Sequence, residues 1–246
     1  MKQNEAVILT FERLGGVATL GQLNQEVFKI KDCIWKTKTP FASIRRIVQL
    51  DKNIYKIKPG LYGLIKLKKE IEYRGIITET EKNKNSREVV EFNHSYYQGL
   101  LLIVGQLKGL NTFVPHQDKN RKFIDNKKLG EMRTLDDLPK YSFPDTIKRS
   151  STIDVIWFNQ RKMPHSFFEV EHSTDIQNSL LKFYDLQDFY TRMVIVADEI
   201  RHIEYKQKLN RGALIEIQNR INFLSYHSLI KQYETEIFKT SQQFII

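Results

Sequence analysis

The 246-residue sequence predicts an α/β protein of the α+β kind: three short helices closed by a β-hairpin, followed by a mixed β-sheet flanked by helices. Three observations lead there. Apolar residues in the first 68 positions recur at helical spacing in three short runs and then alternate around Pro59-Gly60. A long helical pattern from about Arg87 to Leu107 is followed by several strand-length apolar runs. The charge is uneven: residues 1–75 hold fifteen Lys and Arg against seven Asp and Glu, a net +8, leaving +2 of the total +10 for the rest of the chain.

With 41% hydrophobic residues the chain has enough apolar side chains to build real cores. The lone cysteine, Cys33, has no disulfide partner and no zinc-ligand spacing around it, so it reads as a small apolar residue in a reducing compartment. The longest apolar run, Gly99 to Gly105, is too short to span a bilayer, and Met1-Lys-Gln-Asn-Glu leads into no signal-peptide core, so no membrane partner is expected.

In order, Asn4–Leu14 places Val7, Ile8, Phe11 and Leu14 on one helical face and stops at Gly15-Gly16. Thr19 is placed to cap a helix from Leu20 to Phe28, and Thr39-Pro40 to open a third from Phe41 to Gln49. Ile54–Leu64 forms the hairpin, and three helices with a hairpin make a winged helix. Residues 71–86 lose apolar periodicity and gather charge and Asn, a linker between parts spanning 1–70 and 87–246. In the second part, Val90, Tyr97, Leu101 and Val104 line one stripe of the long helix. Strands are expected at Thr112–Pro115, Thr152–Asn159, Ser166–Ser173 and Arg192–Ala197, with a polar stretch to Ser150. A helix from Asp175 to Tyr190, capped by Ser173 or Thr174, has Leu180, Leu181, Tyr184 and Leu186 as its core stripe. Asn222–Leu229 reads as a strand running into a final helix.

Chemistry concentrates in the second and third strands of the latter part. Asp154 stands in the apolar run Ile153–Phe158, and fifteen positions later comes Glu169-Val170-Glu171. The two-residue strand repeat puts Glu169 and Glu171 on one face, with Phe168, Val170 and His172 on the other. A carboxylate buried without compensation costs several kcal/mol, so a cation is expected beside Asp154: a hard divalent ion, or a buried Arg or Lys. Glu-x-Glu also suits a solvated face of an edge strand, and both accounts stand at this point. Gly-rich phosphate loops, Gly-x-Ser-x-Gly and Cys-x-x-Cys pairs are missing, which removes NTPases, serine hydrolases and zinc modules.

The first part resembles the winged helix-turn-helix domains of bacterial restriction proteins and related chromatin-associated modules, through Gly15-Gly-Val-Ala-Thr-Leu20, Thr39-Pro-Phe-Ala-Ser-Ile-Arg-Arg46 and Pro59-Gly-Leu-Tyr-Gly63. In such domains the third helix enters the major groove. The resemblance therefore nominates Ser43, Arg45 and Arg46 for DNA contact, with Lys36 and Lys38 upstream and Lys56 and Lys58 on the wing. Residues 87 to about 238, by element order and by Asp154…Glu169-Val170-Glu171, resemble the PD-(D/E)xK nuclease superfamily. The family's usual last residue is lysine and its usual residue before the aspartate is proline; this sequence has Glu171 and Ile153.

That resemblance implies Asp154, Glu169 and the backbone carbonyl of Val170 as ligands of Mg2+ or Mn2+. Glu171 would orient or deprotonate the attacking water, and an acidic residue of the long helix, Glu91 with Glu88 behind it, would complete the site. His94 and Gln98 share a face near the phosphate. His116-Gln-Asp-Lys119 offers His116 and Lys119 for phosphate contact and Asp118 for a second metal, or is an ordinary polar loop; Lys119, Arg121, Lys122, Lys127 and Lys128 could follow a DNA backbone. The expected protein is a cytoplasmic bacterial or archaeal endonuclease of type II restriction character. It would act on double-stranded DNA at a specific site, base-modified or not, as a homodimer, beside a separately encoded cognate DNA methyltransferase. The alternatives are a DNA-binding regulator with an inactive nuclease-like domain, and a repair or RNA nuclease.

Overall fold

The structure, a computed structural model, describes residues 1–124 and 126–242. Among the described residues two compact units are present: Met1–Phe92 with Ile124, Asn126 and residues 232–242, and Asn93–Phe123 with Lys127–Lys231.

In the first unit, α1 (Gln3–Arg13) buries Ala6, Val7, Thr10 and Phe11 and is stopped by Gly15 and Gly16, both at positive φ, where glycine carries no Cβ penalty. A three-residue strand, β1 (Val17–Thr19), follows; it is too short for alternation to reveal. Helix α2 (Leu20–Glu26) is capped as expected. The Thr19 hydroxyl accepts from the Gln22 N–H at 3.1 Å and the Gln22 side chain accepts from the Thr19 N–H at 2.9 Å, a reciprocal box worth about 1 kcal/mol. Helix α3 (Pro40–Leu50) has proline in its first turn, but the Thr39 side chain makes no capping bond; its backbone is turned away from the extended geometry a cap needs. Strands β2 (Ile54–Lys58) and β3 (Leu61–Leu64) turn at Gly60, again at positive φ. The antiparallel sheet has the order β1-β3-β2. Phe11, Leu23, Ile44 and Leu64 form the core, with Cys33 buried among them. Helix α4 (Lys68–Tyr73) closes this stretch.

In the second unit, α5 (Arg87–Leu107) contributes its length from Asn93 on. Then come β4 (Asn111–Phe113), α6 (Leu129–Met132), α7 (Pro144–Ser150), β5 (Val155–Phe158), β6 (Pro164–Glu171), α8 (Ile176–Tyr184), β7 (Arg192–Ala197), α9 (His202–Leu209) and β8 (Ile221–Ser225), leading into α10 (Tyr226–Gln242). The sheet is mixed, in the order β4-β5-β6-β7-β8: the first three strands are antiparallel and β6, β7 and β8 are parallel. Glu169 and Glu171 therefore lie on the central strand, not on a solvated edge.

Helices cover both faces. Trp157 donates its indole N–H to the Leu101 carbonyl at 3.0 Å, holding α5 to one face. Ile176, Leu180 and Phe183 of α8 join Ile156, Phe158, Phe167 and Ile195 in the core on the other. That stripe differs from the expected one, since Leu181 and Tyr184 are exposed; Asp175, rather than Ser173 or Thr174, caps the helix by accepting from the Gln177 N–H. Helices α6 and α7 occupy the stretch read as merely polar, their few apolar residues giving no period. No described helix is long and apolar enough to cross a membrane.

Candidate active site

The hairpin register explains the spacing of the acidic residues. Val155 pairs with Phe168, so the next step toward the open end of the hairpin sets Asp154 abreast of Glu169. The Asp154 backbone N–H donates to Glu169 Oε1 at 3.3 Å, and the Val170 N–H donates to Asp154 Oδ2 at 2.8 Å. Both carboxylates are buried, Asp154 8% and Glu169 2% exposed.

Two helices answer these charges. From α5, His94 Nε2 lies 3.1 Å from Asp154 Oδ2, and Gln98 donates to the Asp154 carbonyl at 3.2 Å and to Asp118 Oδ2 at 2.8 Å. From α8, Lys182 Nζ lies 2.8 Å from Glu169 Oε2 and also donates to the Thr152 carbonyl at 2.9 Å. Ser179 Oγ lies 2.9 Å from Glu169 Oε2 and also bonds Glu171 Oε1, while Thr174 Oγ1 bonds Glu171 Oε2. A serine hydroxyl has one proton, so Ser179 donates to only one of its two carboxylates; the other contact needs a carboxyl proton.

The electrostatics identify where that proton sits. Burial pushes the Glu169 carboxyl up, and the Asp154 charge pushes it further, to about 8, against the opposing pull of Lys182 and Ser179. Burial also pushes Asp154 up, but His94, the Val170 N–H and Lys182 together outweigh it and hold this carboxyl below its usual range. Lys182 is lowered by burial, yet Glu169, Asp154 and Glu171 raise it overall. Glu169 leads the groups that raise it, through both its charge and its hydrogen bond. The shifts favour an ionised Asp154 and a cationic Lys182, and draw Glu169 toward its protonated form.

A second group of side chains flanks Asp154. Arg121 bonds Asp118 Oδ1 through Nε at 2.9 Å and His94 Nδ1 through Nη1 at 3.0 Å. A guanidinium only donates, so His94 Nδ1 accepts and the ring proton is on Nε2, facing Asp154. Burial lowers His94, but the charges of Asp154 and Asp118 raise it overall. A second ring proton would meet the Arg121 N–H and break that contact.

The structure brings Asp154, Glu169, Val170 and Glu171 together, but not Glu91. Glu91 is exposed and ion-paired with Arg87 at 2.7 Å, one helical turn back on α5, and Glu88 is exposed as well. The α5 residues that reach Asp154 and its backbone are His94 and Gln98. Val170 uses its N–H on Asp154. In the first unit Lys36, Lys38, Arg46 and Lys56 are exposed, as DNA contact requires. Ser43 is half-buried, with its hydroxyl turned to the Thr39 carbonyl at 3.4 Å, and Arg45 is exposed but ion-paired with Glu234 at 2.5 Å.

Lys58 departs from expectation. It is 5% exposed, with its ammonium 4.5 Å from the centre of the Phe92 ring, and burial brings its pKa down to about 7 against the opposing charge of Glu79. The register shift between Lys56 and Lys58 turns it inward, so it cannot reach a phosphate. His116 and Lys119 are exposed, with His116 Nε2 3.2 Å from Asp137. Arg121, expected along a DNA backbone, is turned to Asp118 and His94.

Sequence reasoning missed Lys182 and Ser179. Once packing sets Ile176, Leu180 and Phe183 as the buried stripe of α8, Ser179 and Lys182 fall beside it on the flank facing β6.

The type II restriction enzyme NmeDI of Neisseria meningitidis serogroup C is 30% identical to this chain over 129 residues, a segment covering 48% of this chain and 36% of that enzyme. The chain thus matches little more than a third of its relative's length. No solved structure matches the chain. The sequence model of the type II restriction enzyme NmeDI C-terminal domain matches residues 76–245, which include β5, β6 and α8, and the chain belongs to that family.

Proposed function

We propose that this chain is a metal-dependent endonuclease of type II restriction character that hydrolyses phosphodiester bonds in double-stranded DNA at a specific site. Its second unit would be a PD-(D/E)xK-type catalytic domain and residues 1–70 a winged helix that contacts DNA. The observation that carries this reading is the placing of Asp154 and Glu169 abreast at the buried end of the β5–β6 hairpin, with Lys182 Nζ 2.8 Å from Glu169. Family membership supports it independently.

The donor set fits a hard divalent cation such as Mg2+: two adjacent carboxylates and the backbone around Val170, in a setting where burial and the Asp154 charge raise the Glu169 carboxyl to about 8 even with Lys182 beside it. When bound, such an ion polarises the phosphate and lowers the pKa of water. The chain's own residues do the rest. Asp154 is held ionised and oriented by His94 and the Val170 N–H. Lys182 supplies the positive charge that a lysine at position 171 would have given, positioned to stabilise charge developing on a phosphate oxygen. Glu171, held by two hydroxyls, positions Ser179 and hence Glu169. On the DNA-binding side, Arg46, Lys36, Lys38 and Lys56 supply exposed cations. Cutting both strands needs two such centres, so a homodimer is the working assembly, and a separately encoded methyltransferase would protect host sites.

The test incubates plasmid DNA with the protein and Mg2+ beside Asp154→Asn and Glu169→Ala. Cleavage by the wild-type chain and loss of at least a hundredfold in both variants is the expected result. Equal cleavage by the variants would refute the site. Specific binding with no cleavage under any divalent ion would instead identify a DNA-binding regulator.

A further inference from the structure

We propose that the first unit carries a nucleotide pocket at the start of α3, which takes one nucleotide extruded from the duplex that the winged helix binds. This deepens the reading of residues 1–70 as a DNA-contacting winged helix and rests on it. The cavity measures about 980 Å3, in the range of sites that hold small organic ligands. All of its lining belongs to the first unit: the end of α2 and the turn after it, the opening turn of α3, and the end of α10.

Three features meet there, and each fits a different part of a nucleotide. The first is aromatic. Phe41 packs edge to face between Phe28 and Phe238, with ring centroids 5.7 and 5.3 Å apart, and the two outer rings stay 40% and 41% exposed. Phenyl rings left open to water in a concave wall favour a planar guest, and every base has a face to stack on them. The second feature is a pair of carboxamides on α2. Gln25 makes no side-chain hydrogen bond among the described residues, and the Asn24 side-chain oxygen is enclosed with no donor. A carboxamide both donates and accepts, as the edge of a base does, so a base can satisfy groups that the fold leaves unmet.

The third is the uncapped start of α3. Thr39 makes no side-chain capping bond, and the first hydrogen bond onto the helix runs from the Ser43 N–H to the Thr39 carbonyl at 3.2 Å, so the Phe41 and Ala42 N–H groups stay free among the described residues. They carry the positive end of the helix dipole. Lys38 beside them is exposed and makes no ion pair among the described residues, whereas Lys29 on the rim is already paired with Glu26 at 2.7 Å. A phosphate answers that charge. An aliphatic side chain of a protein partner would cover the rings but leave the carboxamides and the helix end unmet; a nucleotide meets all three. Bound DNA is its source, because Lys36 and Lys38 lead into α3 and Arg46 stands on it, exposed cations suited to the flanking phosphates.

Extrusion costs least for a nucleotide without a pairing partner, so a bulged nucleotide is the probe. Fluorescence anisotropy of the full-length chain, without divalent ions so that nothing is cut, compares a fully paired duplex with the same duplex carrying one bulged adenosine or one bulged abasic sugar. The wild-type chain is expected to bind the bulged adenosine about tenfold more tightly than either of the others, and Phe28→Ala and Gln25→Ala each to lower that ratio to about threefold or less. Equal affinity of the wild-type chain for the three duplexes would overturn the pocket and leave the DNA-contact reading standing. A tenfold preference kept by both variants would also overturn it, since the base would then be read elsewhere. Binding of free deoxyadenosine monophosphate with no preference for the bulge would identify a free-nucleotide site and overturn the DNA source. Failure to bind any duplex would refute the winged-helix reading and this inference together. Should Phe28→Ala fail to fold, Gln25→Ala decides.

Discussion

If the proposed metal sits on Asp154 and Glu169, its binding expels a proton, because the Glu169 carboxyl is raised to about 8 and only a carboxylate ligates. With its pKa raised to about 8, Glu169 holds a proton in roughly nine chains in ten at pH 7, so each Mg2+ bound there releases about 0.9 proton. The release is read by isothermal titration calorimetry at pH 7 in buffers of differing ionisation enthalpy, as the slope of observed heat against buffer heat. It should fall to about 0.1 at pH 9, where the group is already ionised. Glu169→Gln should show none at either pH. A slope near zero for the wild-type chain at pH 7 would mean that Lys182 and Glu169 form an ordinary ion pair, and the account of the Ser179 contacts would fail with it. The same shift sets a sign for stability. A carboxyl raised from 4.5 to about 8 binds more protons folded than unfolded in that window. Its contribution is full below pH 4.5 and is lost as pH rises toward 8, so the metal-free protein melts lower at pH 8 than at pH 5, and Mg2+ narrows the difference.

Three further outcomes follow from particular contacts. Lys182→Met should lower the cleavage rate at pH 7 about a hundredfold with DNA affinity retained, by single-turnover kinetics and filter binding; an equal loss of affinity would make Lys182 a DNA contact instead. Arg46→Ala should reduce the salt dependence of DNA binding by about one unit of slope, whereas Lys58→Met, with its ammonium over Phe92, should leave that slope unchanged. Gly105→Ala should destabilise the protein by about 1–3 kcal/mol in denaturant titration, because an added Cβ would lie 2.6 Å from the Trp157 indole nitrogen and 2.7 Å from the Thr112 methyl. Unchanged stability would show that α5 can shift on the sheet.

Much of the fold was legible because its elements follow local rules. Gly15-Gly16 stops α1, the Thr19–Gln22 box starts α2, and Pro59-Gly60 turns the hairpin; each is decided within a few residues. The apolar runs around Asp154 and through Glu171 gave β5 and β6, and an α+β class with a mixed sheet follows from their order. What failed locally failed for identifiable reasons. The α8 stripe was out of phase because Leu180-Leu181 offers two adjacent leucines and only packing chooses between them. Lys58 looks like its neighbour Lys56 in sequence, and only the irregular register of β2 turns one outward and the other into the core.

By itself, then, the sequence determined which acidic residues meet on the strands: a carboxylate in an apolar run and an acidic pair fifteen positions on, spaced by a hairpin whose register is a local property. The tertiary structure decided what meets them. Lys182, His94 and Arg121 come from helices and a turn distant in sequence, and which of their faces turns inward is set by packing against the sheet rather than by any local pattern. A buried charge fixes its partners through space, and sequence spacing carries no record of that distance.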